Sequence, residues 1–214
     1  MSHTRLAAVF ALLACAGAAH AGEIYTKFGM PGVMLGYAQP LSSQFGVRAD
    51  YATLGSRSDR FNEEGIAYDG KLRTGRLALL GDWFPMGGSF RLTAGVTAND
   101  YKLDLLASGA GGSLTIGNTT YTTTAQDRQR VLVKFPSTTP YLGLGWGHGL
   151  GGGLRFSFDV GASIGKAKVS YELSGPAASA VSQSDIDIEL AQLRDGVAKV
   201  RAVPQLSFGL GYSF

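Results

Sequence analysis

The stretch Gln205-Leu206-Ser207-Phe208-Gly209-Leu210-Gly211-Tyr212-Ser213-Phe214 constrains this chain more than any other. Strand side chains alternate with period two, so Leu206, Phe208, Leu210, Tyr212 and Phe214 share one face. Gln205, Ser207, Gly209, Gly211 and Ser213 share the other. A sandwich strand of a soluble domain also alternates, but it turns its apolar face inward and its polar face to water. Large apolar groups opposite small or polar ones suit a strand standing between lipid and a packed interior.

The same pattern recurs upstream. Phe45, Val47, Ala49 and Tyr51 alternate with Arg48 and Asp50. Leu77, Leu79 and Trp83 oppose Arg76 and Asp82, and Phe90, Leu92, Ala94 and Val96 oppose Arg91, Thr93, Thr97 and Asn99. Leu142, Leu144 and Trp146 alternate with Tyr141 and glycines; Phe156, Phe158, Val160, Ala162 and Ile164 oppose Arg155, Ser157, Asp159 and Ser163. Strands are expected to start near Val33, Phe45, Lys71, Phe90, Val131, Leu154 and Val203, with an eighth over Glu23 to Phe28 turning at Gly29-Met30-Pro31-Gly32. Two of these segments change parity, around Pro136 to Pro140 and Gly165 to Lys168, where bulges are the expected cause.

The connections come in two lengths. Pro40 to Gln44, Pro85 to Ser89 and His148 to Gly153 are short; Ser56 to Tyr68, Leu106 to Arg130 and Gly175 to Arg201 are long and polar or rich in small residues. They interleave, as the periplasmic turns and outer loops of a transmembrane barrel do. Aromatic residues gather beside the short turns, so Tyr37, Phe45, Trp83, Phe84, Phe90, Trp146 and Phe156 are expected to form a girdle at the periplasmic interface. The last long loop carries an expected helix over Asp185 to Lys199, with Ile186, Leu190, Leu193 and Val197 at helical spacing and Ser184 as its cap. A lid over the barrel mouth is the expected role of that helix; a docking site for a partner or lipopolysaccharide is the alternative.

The first residues read as an export signal. Leu6 to Ala19 are apolar or small, too short a run to span a bilayer, and Ala19-His20-Ala21 is an A-x-A cleavage site before Gly22. Residues 1–21 are therefore the expected signal peptide and residues 22–214 a single barrel domain. Leu12-Leu13-Ala14-Cys15 loosely resembles a lipoprotein box, although the A-x-A site matches better; cleavage there leaves no cysteine and no disulfide chemistry. Loss of Arg5 with the leader leaves a formal charge of about +2, and no basic run or basic-aromatic stripe signals nucleic-acid binding. The 31 glycines follow no collagen period and sit inside the alternating segments.

The chemistry on offer is ionic. Arg48, Asp50, Arg76, Asp82, Arg91, Arg155 and Asp159 fall on interior faces, most of them a few residues from the short turns. Neighbouring strands place Arg48 near Asp82 and Asp82 near Arg91. Charges enclosed in a narrow barrel must be paired or wet, so a network filling the lumen is expected, with a gated path for small solutes as the alternative. His148 is the one histidine beyond the leader, in a short turn and without a serine two positions on, so a Ser-His-acid site is not expected and an interfacial turn residue is. A zinc site lacks ligands. Gly147 to Gly152 matches G-x-G-x-x-G, but a strand follows where the dinucleotide motif needs a helix.

Leu206, Phe208, Leu210, Tyr212 and a final Phe214 resemble the C-terminal assembly signal of bacterial outer-membrane barrels. With Phe45 to Tyr51 and Pro140 to Gly147, they make the chain similar to the small Gram-negative barrel families of the OmpA-transmembrane and OmpW type. The resemblance implies an all-β fold, an antiparallel transmembrane barrel of about eight strands in the outer membrane. It implies insertion by the barrel assembly machinery, contact with outer-membrane lipid and lipopolysaccharide, a monomer, no cofactor and no catalysis. The implied role is structural or surface-interacting; the alternatives are a narrow channel for small or apolar solutes and, further off, a lipid-modifying enzyme.

Overall fold

A computed structural model describes residues 22–63, 66–108, 112–148 and 152–214. The expected signal peptide, Cys15 included, and part of the turn after His148 lie outside the described residues. Among the described residues thirteen strands follow in chain order: β1 Glu23–Met30, β2 Gly32–Pro40, β3 Phe45–Glu63, β4 Ile66–Trp83, β5 Phe90–Asn99, β6 Lys102–Ser108, β7 Ser113–Ile116, β8 Thr119–Thr122, β9 Arg128–Lys134, β10 Thr138–Trp146, β11 Gly153–Ile164, β12 Lys168–Ser174 and β13 Ala202–Ser213. A 3-10 turn at Pro176–Ser179 and one helix, α1 Gln183–Ala198, precede β13.

Eight strands close a ring in the order β1-β2-β3-β4-β5-β10-β11-β13, and β13 pairs back to β1 with Phe28 opposite Phe208. Every pairing is antiparallel. Closure satisfies each strand edge, which a sheet in lipid requires. The alternation sets the two surfaces: Leu35, Leu79, Val96, Leu142, Phe156, Leu206 and Phe208 stand exposed on the outside, Phe156 at 76% and Phe208 at 61%. Arg48, Arg76, Arg91, Asp82 and Asp159 are at most 3% exposed on the inside. That inversion, apolar out and charged in, fits hydrocarbon around the ring.

A second sheet rises from the ring. β3 and β4 continue past the barrel, and the upper part of β4 pairs with β6, β6 with β9, and β9 with β12. The stretch from Ser56 to Tyr68, expected as a loop, is mostly ladder. Bulges do not explain the parity changes at Pro136 and Gly165. At both points the chain leaves the outer sheet or the ring: β9 ends at Lys134 before β10 starts at Thr138, and β11 ends at Ile164 before β12 starts at Lys168. The one register shift between β3 and β4 is elsewhere, between Thr53 and Gly55, where the hairpin bends out of the barrel wall.

Helix α1 begins earlier than its periodicity indicates, because Ser182 rather than Ser184 caps it, accepting from the Asp185 N–H at 3.1 Å. It packs on β12 and β7 of the outer sheet. The β7–β8 hairpin holds its start: Tyr121 Oη donates to Asp185 Oδ2 at 2.5 Å, and the Gly117 N–H donates to Glu189 Oε2 at 3.0 Å.

Candidate functional site: a charged barrel lumen

The lumen is layered. In the middle layer Arg48, on β3, donates through Nη2 to Asp82 Oδ1 of β4 at 3.0 Å and through Nε to Oδ2. Thr93 Oγ1 donates to the same Asp82 Oδ1 at 2.6 Å, and Arg91 Nε comes within 3.5 Å of it. Asp159, on β11, accepts from both Lys27 and Arg91, with Arg48 Nη2 at 3.5 Å. Above this, Asp50 takes Arg76 on one oxygen and the Tyr25 hydroxyl on the other at 3.1 Å, while Arg76 also reaches Gln205. Higher still, Thr97, Thr139, Ser163 and Asn99 bond to one another at 2.8 to 3.1 Å. Ala78, Leu80 and Tyr141 fill the space beside Arg76 as a small apolar cluster.

Four fully enclosed cations (Lys27, Arg48, Arg76, Arg91) thus face four enclosed carboxylates (Glu23, Asp50, Asp82, Asp159). An unpaired charge in such surroundings costs several kcal/mol or more, whereas bidentate guanidinium–carboxylate geometry recovers much of that cost. Glycines on the inward faces give these side chains their room. A Cβ on Gly145 would stand 2.6 Å from Asp159 Oδ1 and 2.8 Å from Arg91 Nη2, closer than real Cβ atoms approach anything. The glycine content is therefore tied to the bulk of the lumen charges.

The end of the lumen beside the short turns differs from the sequence reading of His148. The imidazole is not interfacial. Gly147 and His148 both have left-handed φ (106° and 59°), and the side chain turns inward, 3% exposed. Its Nδ1 lies 2.8 Å from Glu23 Oε1, and its ring centroid 4.5 Å from that of Tyr25. Arg155, half-buried, shares this end with Glu23. Glu23, Tyr25 and Lys27 were not among the sequence candidates, although Ile24, Thr26 and Phe28 alternate with them and mark them as inward.

On the outer surface near the same end lie Phe45, Trp83, Trp146 and Phe156, all exposed, with Tyr37 and Phe90 half-buried beside them. The Phe90 and Trp146 rings are 6.4 Å apart. Phe84 does not join them: Trp83 takes the outward position, so Phe84 falls inside at 4% exposure. Leu206, Phe208, Leu210, Tyr212 and Phe214 line the outward face of β13, and the Phe214 N–H donates to Gly22 O at 3.0 Å. Among the described residues no cluster of His, Cys, Asp or Glu has the makings of a metal site, and no helix is long and apolar enough to cross a membrane.

An eight-stranded ring with an apolar exterior and a salt-bridged interior is the architecture of an outer-membrane-type β-barrel. Solved barrels bear this out. The crystal structure of CarO2 from Acinetobacter baumannii superposes with a TM-score of 0.60 at 18% identity, covering 92% of this chain and 100% of that one. CarO from the same organism gives 0.54 at 16% identity, covering 91% and 97%. The likeness is one of fold. No family model and no curated protein sequence matches the chain. The fold is thus similar to that of these CarO proteins, while the OmpA and OmpW resemblance finds no separate support.

Proposed function

We propose that the protein is an integral barrel of the outer membrane of a Gram-negative bacterium, with a structural or surface-interacting role and a lumen closed by its own ion pairs. The observation that carries this reading is the balance of the interior: each enclosed cation (Lys27, Arg48, Arg76 and Arg91) pairs with an enclosed carboxylate from another strand of the ring. An eight-stranded barrel leaves room for side chains or one small ligand, and here side chains take that room. The outward face of β13, from Leu206 to Phe214, serves as the signal for the assembly machinery. Tyr37, Phe45, Trp83, Phe90, Trp146 and Phe156 anchor the periplasmic interface. The outer sheet and α1 offer the surface that meets partners.

Conductance in a planar bilayer tests the closed lumen. Residues 22–214, refolded and shown by heat-modifiable migration to be a closed barrel, are expected to leave the bilayer silent. Current steps from the unaltered protein that grow in Arg48→Ala or Arg91→Ala would replace this reading with that of a narrow channel.

A further inference from the structure

A row of cations crosses the outer sheet at its base. Arg73 of β4 lies directly opposite Lys102 of β6, Lys102 opposite Lys134 of β9, and Lys134 opposite Lys168 of β12. Directly paired residues point to the same face of a sheet, and like charges so placed repel. Asp100 answers only one end of the row, lying 2.5 Å from Lys102 Nζ and 3.6 Å from Arg73 Nη1. Lys134 and Lys168 have no ion-pair partner among the described residues. The rows farther out are mixed in sign: Lys71 stands opposite Asp104, and Arg130 bonds Asp104 at 2.6 and 2.8 Å and approaches Glu172 at 3.7 Å. Charge of a single sign is confined to the row nearest the barrel.

Its direction and height both point to lipid. β4 runs unbroken from Arg73 to Leu77 and Leu79, and these alternate positions share the face that carries the apolar band. Four residues of strand at a barrel tilt raise Arg73 about 10 Å above Leu77, the depth at which hydrocarbon gives way to headgroups. The row spans four neighbouring strands, on the order of 14 Å, long enough for more than one phosphate. A cleft of about 440 Å³ lies along Lys102, Lys134 and Lys168, floored by Pro136 and Thr138.

We propose that the Arg73-Lys102-Lys134-Lys168 row is a docking surface for the phosphate groups of an anionic glycolipid in the outward-facing leaflet. This rests on the membrane placement proposed above and adds a ligand class to it. Phosphate oxygens between adjacent ammonium groups turn a repulsive row into a set of charge-assisted hydrogen bonds, while the acyl chains lie against Leu77 and its neighbours.

Native mass spectrometry of the refolded protein in a neutral detergent tests this, with diphosphorylated lipid A, its dephosphorylated form and inorganic phosphate as probes. The unaltered protein should retain lipid A, and Lys134→Gln/Lys168→Gln should bind it about 30-fold more weakly, each lysine near an anionic headgroup being worth about a factor of five. Dephosphorylated lipid should show no such difference, and millimolar inorganic phosphate should not displace lipid A. Equal binding by protein and variant, equal retention of the dephosphorylated lipid, or displacement by free phosphate would overturn the proposal. The variant should also unfold at higher urea than the parent when no phosphate is present, because repulsion is relieved; a loss of stability would assign the lysines to the fold instead. Absence of a heat-modifiable barrel in the parent protein would defeat the membrane reading itself, independently of lipid binding.

Discussion

Asp159 shows how the interior is wired: two carboxylate oxygens serve three cations, Lys27, Arg91 and Arg48, from three other strands. Asp159→Asn keeps the shape and removes the charge, leaving Arg48 and Arg91 to Asp82 and Lys27 without its carboxylate. Breaking one partner of a buried ionic cluster costs about 3–5 kcal/mol. The expected result is a clear fall in the urea midpoint of the refolded barrel, followed by tryptophan fluorescence; an unchanged midpoint would mean the three cations are hydrated. The charges on strictly alternating strands were legible, because parity alone sends Arg48, Asp82, Arg91 and Asp159 inward. His148 was not, since its placement depends on two successive left-handed residues that no pattern of hydrophobicity encodes.

At the scale of elements, the outer sheet was the least legible part. Lys102 to Ser108, Arg128 to Lys134 and Lys168 to Ser174 do alternate, but with charges against aliphatics such as Leu103, Val133 and Val169. Polar runs of that kind look like loops until their partners are known. The parity breaks at Pro136 and Gly165 were visible, and only the pairing shows that they mark the exits between ring and outer sheet. Helix α1 was visible from its spacing, but its docking was not. Asp185 anchors it: hydrogen bonds from the Tyr121 and Ser182 hydroxyls hold the carboxyl below its ordinary value of 3.8. A depressed folded value means the stabilisation is complete above that ordinary value and is lost as pH falls through the lowered one. Hydrogen-exchange protection of residues 183–197 is therefore expected to persist at neutral pH and drop below about pH 4. Asp185→Asn should lower it at neutral pH and abolish the drop in acid.

For the whole molecule, the ring and its superstructure are separable in their pairing. The hairpin β7–β8 forms its own two-stranded sheet and contributes nothing to ring closure, which runs through β1 and β13. Deleting residues 113–122 is expected to leave the heat-modifiable barrel intact while the helical signal in circular dichroism falls, because α1 loses Tyr121 and Gly117. Loss of the heat-modifiable band would show that folding of the ring depends on its exterior. The eight-stranded architecture was open to a sequence reading for a physical reason: lipid outside and ion pairs inside impose opposite demands on alternate residues, eight times around.

The long run of β3 and β4 from the short turns of the ring into the outer sheet has a mechanical consequence. With 19 and 18 residues, paired on both sides of the one register shift between Thr53 and Gly55, the hairpin is a cantilever clamped in the barrel wall, its ring part and its outer part joined by two strands rather than by a loop. Whatever grips the tip, whether an antibody, a neighbouring sugar chain or a probe, pulls on the barrel directly. A rigid label placed there would report the tilt of the whole cylinder in its membrane.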